Sequence, residues 1–418
     1  MCIFLTDFWL MAFNDDNPSS ITTRKRKFEE KDSCFLSNFF SMEDLNQDVL
    51  ERILSWLPTS TFFRLTSVCK RWKSVADSES FKLACSDIPS RDPWFFMVDP
   101  QLNRMVVFDS AEKTWKRLNQ PTLLKKSPNH NSMPVAASGG LICFRNLAGD
   151  FILCNPVSGS CSQVPLLDSP LQNQNLHAIV MNNNKITLVF GELPKLSFKV
   201  FNSNTNSWEE EIELQQFKDE NSVTDNEDNA VYFLSKAGNV VATNMQRSPC
   251  KQYSSVITTN QNGEEIVYFL SSTGKVVSCN LDTKTFFEFP RLLPVFCEYS
   301  IDVVECRGKM FVVLLSEFFE SASLRVWSYD EASRAWLQIA AMPPALSHCW
   351  YGKKVDINCV GAGDQILICL NYAEVFSYVV CDLVSNDWIE LPKCCVDGKA
   401  VDFMSAFSFE PRIEALIL

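Results

Sequence analysis

Residues able to do acid–base or metal chemistry are few in this sequence and stand far apart. The 418 residues include three histidines, His130, His177 and His348, and the last lies near Cys349 and Tyr351. A zinc or copper site needs several such ligands close together, and no such grouping is evident. No glycine-rich phosphate loop, Gly-x-Ser-x-Gly elbow or His-Glu-x-x-His pair is present either. We therefore predict no catalytic residue, no metal and no cofactor.

Cysteine usage and charge narrow the classes of function further. The 17 cysteines, an odd number, include no Cys-x-x-Cys pair, so we expect buried free thiols in a reducing compartment. The net charge of −12, from 38 basic and 50 acidic residues, argues against nucleic acid as a direct partner. No apolar run is long enough to span a membrane, and the first ten residues do not resemble a signal peptide. We expect the nucleus, the cytoplasm or both; the basic run at residues 24–27 is either a nuclear import signal or a solvated patch.

The first organised element along the chain is helical. Large apolar side chains at positions 50, 53, 54 and 57 follow the i, i+3, i+4, i+7 spacing of an amphipathic helix. Asn46 suits the start of this helix and Pro58 its end. Two more short helices are expected before residue 86. Three short helices make a small core, so their excess apolar surface predicts a partner protein.

These residues resemble an F-box, whose pattern is a Leu-Pro start, a Leu-Leu-x-x-Ile-Leu helix, a Leu-Pro stop and Val-Cys-Lys-x-Trp. The similarity spans residues 41–85, and Asn46 stands where the family usually has proline. The resemblance implies docking on a Skp1-like adaptor, and through it on a cullin and a RING protein. Some motif residues would contact the adaptor and others would hold the helices together. The matching residues are Leu45, Val49, Leu50, Ile53, Leu54, Leu57, Pro58, Val68, Cys69 and Trp72.

Beyond residue 86 the sequence consists of short β-type runs with a repeated anchor. An Asp or Asn ends a strand, five turn residues follow, and a large or sulfur-containing side chain opens the next strand. We expect the Asp or Asn to accept hydrogen bonds from its own turn, and the large residue to pack against the neighbouring unit. The seven pairs are Asp109–Trp115, Asn155–Cys161, Asn202–Trp208, Asn244–Cys250, Asn280–Phe286, Asp330–Trp336 and Asp382–Trp388.

The spacing of the anchors, 36 to 52 residues, is typical of four-stranded propeller blades. Counting the anchors favours seven blades and leaves six possible. Residues 231–241 recur almost unchanged at 267–277, which supports the Asn244 unit as a real repeat. The first unit has about three strands, and another strand ends the chain near residues 403–411. Strands from both ends are therefore expected to share one blade, which removes an open edge.

The repeat resembles a degenerate form of kelch. The Gly139-Gly140 pair is of the kelch kind, although a total of 13 glycines means that most blades lack it. Together with Cys154-Asn155-Pro156 and a final Phe-x-Phe-Glu-Pro-Arg, the chain resembles the plant F-box/kelch-repeat family, which includes floral regulators of the Unusual Floral Organs and Hawaiian Skirt kind. Some kelch propellers are copper oxidases, and the isolated histidines argue against that class here.

The connections between blades carry the candidate residues for binding a target protein. These are the aromatic residues Phe318, Phe319, Trp350 and Tyr351, which could equally belong to the core. The acidic stretch at residues 209–229 is either a soluble loop or a surface for a basic target.

We therefore expect an α+β multidomain chain: a disordered tail at 1–40, an all-α three-helix F-box at 41–85, a linker at 86–93 and an all-β kelch-like propeller at 94–415. The expected function is that of a non-catalytic, substrate-recognition subunit of an SCF-type E3 ubiquitin ligase, with the propeller binding an unidentified protein. The alternative is a non-proteolytic transcriptional cofactor whose propeller binds a transcription factor.

Overall fold

The computed structural model describes residues 45–99, 101, 104–121, 123–124, 132–167, 175–182, 185–217, 232–234, 240–242, 253–271, 274–292, 299–318 and 321–415. The predicted tail, the basic run at 24–27, the Asn244–Cys250 anchor and the acidic residues after 217 lie outside this set. The chain divides into two compact units, the first ending at Arg91 and the second beginning at Asp92. No helix in the described part of the chain is long and apolar enough to cross a membrane.

The first unit is made of short helices. Asn46 caps the first of them as predicted, since its Oδ1 accepts a hydrogen bond from Asp48 N at 3.2 Å. The fourth helix was not expected from the sequence, because its buried face consists of just two residues, Phe81 and Cys85. The helices are α1 (Gln47–Ser55), α2 (Thr59–Thr66), α3 (Lys70–Val75) and α4 (Glu79–Ser86).

A small aromatic and aliphatic core holds these helices together. The ring of Phe62 on α2 stacks on that of Phe81 on α4, with centroids 4.7 Å apart. Leu50 and Leu54 of α1 are fully buried, and α1 packs against α4. The inward face of α1 is therefore committed to the core of the unit.

The second unit is all β, and its described residues form six blades: four separate four-stranded sheets, and two more blades that one strand joins into a nine-stranded sheet. Blade 1 joins β29 (Ser405–Phe409) to β1 (Trp94–Val98), β2 (Met105–Asp109) and β3 (Thr114–Leu118). Blade 2 contains β4 (Met133–Ser138), β5 (Leu141–Arg145), β6 (Phe151–Cys154) and β7 (Cys161–Gln163). Blade 3 contains β8 (Leu176–Asn182), β9 (Lys185–Glu192), β10 (Lys195–Asn202) and β11 (Ser207–Trp208).

The other three blades repeat this antiparallel order. Blade 4 contains β15 (Ser255–Thr259), β16 (Glu265–Leu270), β17 (Val276–Asn280) and β18 (Thr285–Glu288). Blade 5 contains β19 (Tyr299–Cys306), β20 (Lys309–Phe318), β21 (Ser321–Asp330) and β22 (Ala335–Ala341). Blade 6 contains β23 (Asp356–Ala362), β24 (Gln365–Tyr372), β25 (Val375–Asp382) and β26 (Trp388–Glu390). A one-turn helix (Pro344–Ser347) and a 3-10 helix (His348–Trp350) connect blades 5 and 6.

Three further strand elements lie outside the four-stranded pattern. Strand β12 (Ile212–Gln216) pairs antiparallel with β10 and parallel with β18, so it joins blades 3 and 4. The other two are hairpins, β13–β14 (Tyr232–Leu234 and Val240–Ala242) and β27–β28 (Cys394–Val396 and Lys399–Val401).

The blades close into a ring in which the two ends of the unit share one sheet. The inner strands contact one another in the order β29, β4, β8, β15, β19, β23 and back to β29. Strand β29 pairs antiparallel with β1, from Trp94 opposite Phe409 to Val98 opposite Ser405. The closure predicted from the sequence is therefore present, since β29 from the end of the unit completes blade 1 and covers the edge that β1 would otherwise expose.

The described residues form a ring of six blades, the number that the sequence left possible, rather than the seven that the anchor count favoured. A seventh blade at the Asn244 anchor would need an inner strand between β8 and β15. Those two strands contact each other directly, and Ser255 Oγ on β15 lies 3.4 Å from the carbonyl oxygen of Ile179 on β8. The repeated sequence does form a matching hairpin, since Phe233 lies opposite Val241 just as Phe269 lies opposite Val277. Sequence repetition therefore marks a hairpin here without marking a blade of the ring.

The predicted anchors are real turn motifs. Six of the seven lie within the described residues, and each Asp or Asn side chain accepts hydrogen bonds from its own turn backbone. For example, Asp382 Oδ1 accepts from Val384 N at 2.9 Å and from Ser385 N at 3.0 Å. The residue four positions after each anchor has a left-handed backbone, a requirement that the sequence did not reveal; these residues are Lys113, Gly159, Asn206, Lys284, Arg334 and Asn386.

Ionisation strengthens the Asp382 turn. Hydrogen bonds from Ser385 and Val384 hold the pKa of Asp382 below its ordinary value. A lowered pKa in the folded state means that this contribution to stability is present above the unfolded-state pKa. It is lost as the pH falls through the folded-state pKa.

Tryptophan side chains tie each of three blades to the blade before it. In each case the indole Nε1 donates a hydrogen bond to the carbonyl oxygen of the proline that ends the preceding blade. The pairs are Trp115–Pro392, Trp208–Pro165 and Trp336–Pro290, at 3.0, 2.8 and 2.8 Å. Trp388 differs, because its Nε1 donates to Asn386 Oδ1 of its own turn at 3.3 Å.

Replacing Trp208 by Phe should lower the free energy of unfolding by about 1–2 kcal/mol more than replacing Trp388 by Phe. Both changes shorten one aromatic side chain, but the first also leaves the carbonyl of Pro165 without its inter-blade donor. Urea unfolding followed by tryptophan fluorescence and circular dichroism measures the difference. Equal losses for the two variants would contradict the role given to the inter-blade bond.

The end of the chain crosses from blade 1 onto blade 2. After β29, residues 410–415, which we term the closing segment, contact the turn that follows β6. The Nδ2 group of Asn155 donates to the carbonyl oxygens of Arg412 and Ala415 at 2.9 and 3.0 Å. Asn155 is completely buried, so these two bonds form away from competing water.

The glycine pair between β4 and β5 also receives the closing segment. Glu410 N donates to the carbonyl oxygen of Gly139 at 2.7 Å. A Cβ atom on Gly140 would lie 2.6 Å from Ala415 Cβ and 2.8 Å from Arg412 Cβ, so no side chain fits there. The glycine pair, the Asn-Pro turn and the final Glu-Pro-Arg, far apart in sequence, therefore form one contact region.

The expectation of free thiols is wrong for one pair. Cys154 and Cys161 form a disulfide across β6 and β7, with a Cα–Cα distance of 4.2 Å. The other described cysteines are free, and burial is the main cause that raises the pKa of Cys306 and Cys381 to about 12. The pairing was missed because strand register, rather than Cys spacing, places two residues opposite each other.

Candidate protein-binding surfaces

One side of α1 exposes apolar side chains that no other described residue covers well. Val49, Ile53 and Trp56 are 46%, 49% and 61% exposed, and their i, i+4, i+7 spacing places them on one helix face. We term these three residues the α1 apolar face. Leu50 and Leu54 lie on the inward side of the same helix, with Leu54 only 2% exposed. An exposed apolar helix face of this kind is suited to binding a partner protein.

The C-terminal end of α1 is fixed by an arginine from the end of the same unit. The Nη1 and Nη2 atoms of Arg91 donate to the carbonyl oxygens of Leu57 and Ser55, each at 3.1 Å. A cation at this end of a helix is also favoured by the helix dipole. The position of Trp56, between the two bonded carbonyls, is thereby held.

A buried carboxylate links α1 to α4. Glu51 accepts hydrogen bonds from Gln47 Nε2 at 2.9 Å and from Ser80 Oγ at 2.5 Å. Burial by itself raises the pKa of Glu51, but the hydrogen bonds from Ser80, Gln47 and Ser78 outweigh it and leave the pKa below the ordinary value. The carboxylate therefore stays ionised at neutral pH and orients α1 on α4.

The start of α3 is held close to the start of α1. Arg71 hydrogen-bonds to the carbonyl oxygen of Leu45, and its Nε donates to Gln47 Oε1 at 3.4 Å. Just before α3, Val68 is 67% exposed, and the Cys69 sulfur accepts from Trp72 N. The α2–α3 turn thus adds exposed apolar surface near this end of the unit.

The structure sorts the ten motif residues, which the sequence left undivided. Leu50 and Leu54 are buried, Leu45, Leu57 and Trp72 are half-buried, and Val49, Ile53, Pro58, Val68 and Cys69 are exposed. The first group holds the helices together, and the last group is free to contact a partner. Trp56 was left out of the predicted binding residues although its spacing from Val49 and Ile53 could have identified it.

The propeller candidates fall into different environments. Trp350 is buried in the core of blades 5 and 6, and Lys353 Nζ lies 5.3 Å from its ring centroid. Tyr351 is 41% exposed, and the next residue, Gly352, donates to Glu317 Oε1 at 2.9 Å. The structure thus brings the end of β20 next to the connection between blades 5 and 6. Phe319 and the side chain of Phe318 lie outside the described residues.

A second exposed apolar residue, Val375, lies in the hairpin that Lys353 approaches. Lys353 Nζ is 5.9 Å from the ring centroid of Tyr372, which is paired across a hairpin with the exposed Val375. Lys353, Tyr372 and Val375 therefore lie in one region at the junction of blades 5 and 6, and the exposed Tyr351 is two residues from Lys353 along the chain. This region offers an aromatic and aliphatic surface next to a positive charge.

The two histidines within the described residues, His177 and His348, do not gather metal ligands. His348 stacks parallel to Tyr351, and Cys349 Sγ lies 3.2 Å from the carbonyl oxygen of Leu346. His177 is hydrogen-bonded to the carbonyl of Gly191 and stacked on Phe269. Among the described residues, no group of three or more His, Cys, Asp or Glu is placed to hold a metal ion.

A helical unit with an exposed apolar α1 face, followed by a β-propeller, defines the class of F-box proteins that carry a propeller. Comparison with known families agrees: the F-box domain matches residues 42–84, and the KIB1-4 beta-propeller matches residues 107–347. The chain belongs to the family of F-box proteins with a KIB1-4 beta-propeller.

Individual relatives support this assignment. The chain is 54% identical to "F-box only protein 13" of Arabidopsis thaliana over 94% of this chain and 90% of that protein. It is 23% identical to "Protein UNUSUAL FLORAL ORGANS" of Arabidopsis thaliana, over 84% and 78%. The predicted resemblance to plant F-box proteins of this kind is confirmed. Among solved structures, TolB from Acinetobacter baumannii matches at 7% identity with a TM-score of 0.40, over 81% of this chain and 72% of that one, which is too weak to support any argument.

Proposed function

We propose that this protein is the substrate-recognition subunit of an SCF-type E3 ubiquitin ligase. The observation that carries the proposal is the α1 apolar face, Val49, Ile53 and Trp56, which is exposed on a helix whose other side is committed to the core. F-box domains are in general Skp1-binding modules, and a Skp1-like adaptor would bury this face. Through the adaptor the chain would join a cullin and a RING protein.

The propeller would hold the target protein. At the junction of blades 5 and 6, Tyr351 and Val375 are exposed and Lys353 lies near the ring of Tyr372, so this surface is our candidate for the target site. Such aromatic and aliphatic groups dominate the energy of protein interfaces. The role of the chain in ubiquitin transfer is to bring target and enzyme together, so it needs no catalytic residue of its own.

Two measurements test this proposal and separate it from the role of a transcriptional cofactor. The wild-type chain should bind a purified Skp1-like adaptor, and failure to bind any such adaptor would contradict the proposal. Proteins biotinylated by a proximity-labelling fusion should accumulate when the proteasome is inhibited. Adaptor binding without any such accumulation would favour the non-proteolytic cofactor. We propose that the protein acts in the nucleus, the cytoplasm or both. Comparing a fluorescent fusion of the wild-type chain with one in which residues 24–27 are changed to alanine tests whether the basic run directs nuclear import.

A further inference from the structure

Blade 2 differs from its neighbours at the position where the last two strands of a blade face each other. Blades 1, 3 and 5 place two aromatic rings there, with centroids 5.0 to 5.4 Å apart. Blade 2 has the Cys154–Cys161 disulfide instead. The aromatic pairs are Phe108–Trp115, Phe201–Trp208 and Tyr329–Trp336. A covalent bond that a thiol can break thus replaces an apolar contact that is insensitive to redox conditions.

The replacement of the aromatic pair by two cysteines also removes a contact between blade 2 and blade 1, where the ring closes. In blades 1, 3 and 5 the tryptophan of the pair donates to the proline of the preceding blade. Cys161 has no indole group, so blade 2 cannot make this bond to blade 1. Blades 1 and 2 are also the place where the closing segment crosses the boundary, through Asn155 and Gly139.

The disulfide links the two ends of the loop that binds the closing segment. Residues 154–161 include Asn155, whose Oδ1 accepts from Val157 N at 2.9 Å and from Ser158 N at 3.1 Å. The same side chain donates to the carbonyls of Arg412 and Ala415. A crosslink between the two ends of this loop restricts the conformations in which Asn155 could leave the segment.

We propose that the Cys154–Cys161 disulfide is a redox switch that controls how firmly the closing segment is bound to blade 2. When the disulfide is formed, the closing segment holds blades 1 and 2 together. When the disulfide is reduced, this contact between the two blades loosens. The reactant is a low-molecular-weight thiol or disulfide of the glutathione class. We expect the attack at Cys161, because Cys161 is half-buried whereas Cys154 is completely buried.

The chemistry balances as two thiol–disulfide exchanges. Attack at Cys161 breaks the protein disulfide, forms a mixed disulfide at Cys161 and releases the Cys154 thiolate, which takes up a proton. A second thiol attacks the mixed disulfide, frees the Cys161 thiol and leaves as a small disulfide. Overall, two electrons and two protons pass from two small thiols to the protein, and the reverse sequence restores the disulfide.

The experiment measures how fast trypsin removes the end of the full-length chain. Cleavage after Arg412 releases residues 413–418, and in the folded chain Arg412 is engaged by Glu410 and Glu414 at 2.7 and 3.0 Å. We expect this release to be about tenfold faster in reduced than in oxidised glutathione buffer, because proteolysis follows the population of the opened state. Intact-mass spectrometry measures the release, and alkylation of free thiols before digestion reports the state of Cys154 and Cys161.

Three variants give the controls. In both buffers, Cys161→Ala should be cleaved at the rate of wild type with its disulfide reduced. Asn155→Ala should be cleaved rapidly in both buffers, because its hydrogen bonds to the closing segment are lost. Cys349→Ser, which removes an exposed thiol elsewhere, should keep the full wild-type response. Equal wild-type rates in the two buffers, with the disulfide formed in one and broken in the other, would overturn the proposal. So would a Cys161 thiol that stays free in the oxidised buffer, and neither result depends on whether a variant folds.

Discussion

The double substitution Val49→Asp with Ile53→Asp should abolish binding to a Skp1-like adaptor while leaving the protein folded. Both side chains are about half exposed on the α1 apolar face, so two carboxylates there remain solvated in the free chain. In a complex the same carboxylates would be buried without partners, which costs several kcal/mol. We expect affinity for the adaptor to fall by about 100-fold or more, which corresponds to about 2.7 kcal/mol of binding free energy.

Isothermal titration calorimetry with a purified Skp1-like adaptor measures this loss, and circular dichroism reports the fold. Leu83→Asp is the matched control, because Leu83 is 70% exposed and lies between the two buried residues of α4, Phe81 and Cys85, on the outward side. This variant should bind as tightly as wild type. Wild-type affinity in the Val49/Ile53 variant would show that α1 does not face the adaptor.

Positions 49 and 53 differ from the buried positions of the same motif because their side chains are exposed. Leu54 matches the F-box pattern equally well, but it is buried beside Leu50 in the core of the helical unit. A charge at Leu54 would unfold that unit, so a loss of adaptor binding would not distinguish a missing contact from a missing fold. Positions 49 and 53 separate these two outcomes.

Deleting the last sixteen residues, 403–418, should unfold the whole propeller rather than trim its end. The deletion removes β29, the inner strand of blade 1, together with the buried rings of Phe403 and Phe409. Loss of a buried phenylalanine side chain typically costs about 3–5 kcal/mol, and two of them approach the total stability of an ordinary domain. Asn155 would also lose both of its acceptors on the closing segment.

Thermal melting followed by circular dichroism, together with size-exclusion chromatography, measures this outcome. A chain ending at Ala415 is the matched control, because it keeps β29 and every described contact of the closing segment. It should melt at the wild-type temperature. A soluble 1–402 fragment with a cooperative β-sheet transition would contradict the importance given to ring closure.

The anchors and the F-box helix could be predicted because their interactions are local. An Asp or Asn that bonds backbone amides two or three residues ahead needs no distant partner, so its position and spacing are sufficient evidence for the turn. The same holds for the start of α1 at Asn46 and for the apolar periodicity of that helix. Pairing of the two chain ends was also predictable, since an unpaired inner strand leaves an open edge.

What the sequence by itself determined is therefore the kind of each element: an F-box helix with surplus apolar surface, repeated Asx-turns and strands of blade length. The tertiary structure alone decided which apolar residues of α1 face outward, that the ring has six blades among the described residues, and that Cys154 meets Cys161. It also brought Gly140 and Asn155 to the closing segment, more than 250 residues away along the chain. The physical reason is the range of the interactions. Contacts within about six residues can be predicted from the local spacing of residue types. Burial, the choice of neighbouring strands and the closure of the ring depend on how distant segments pack.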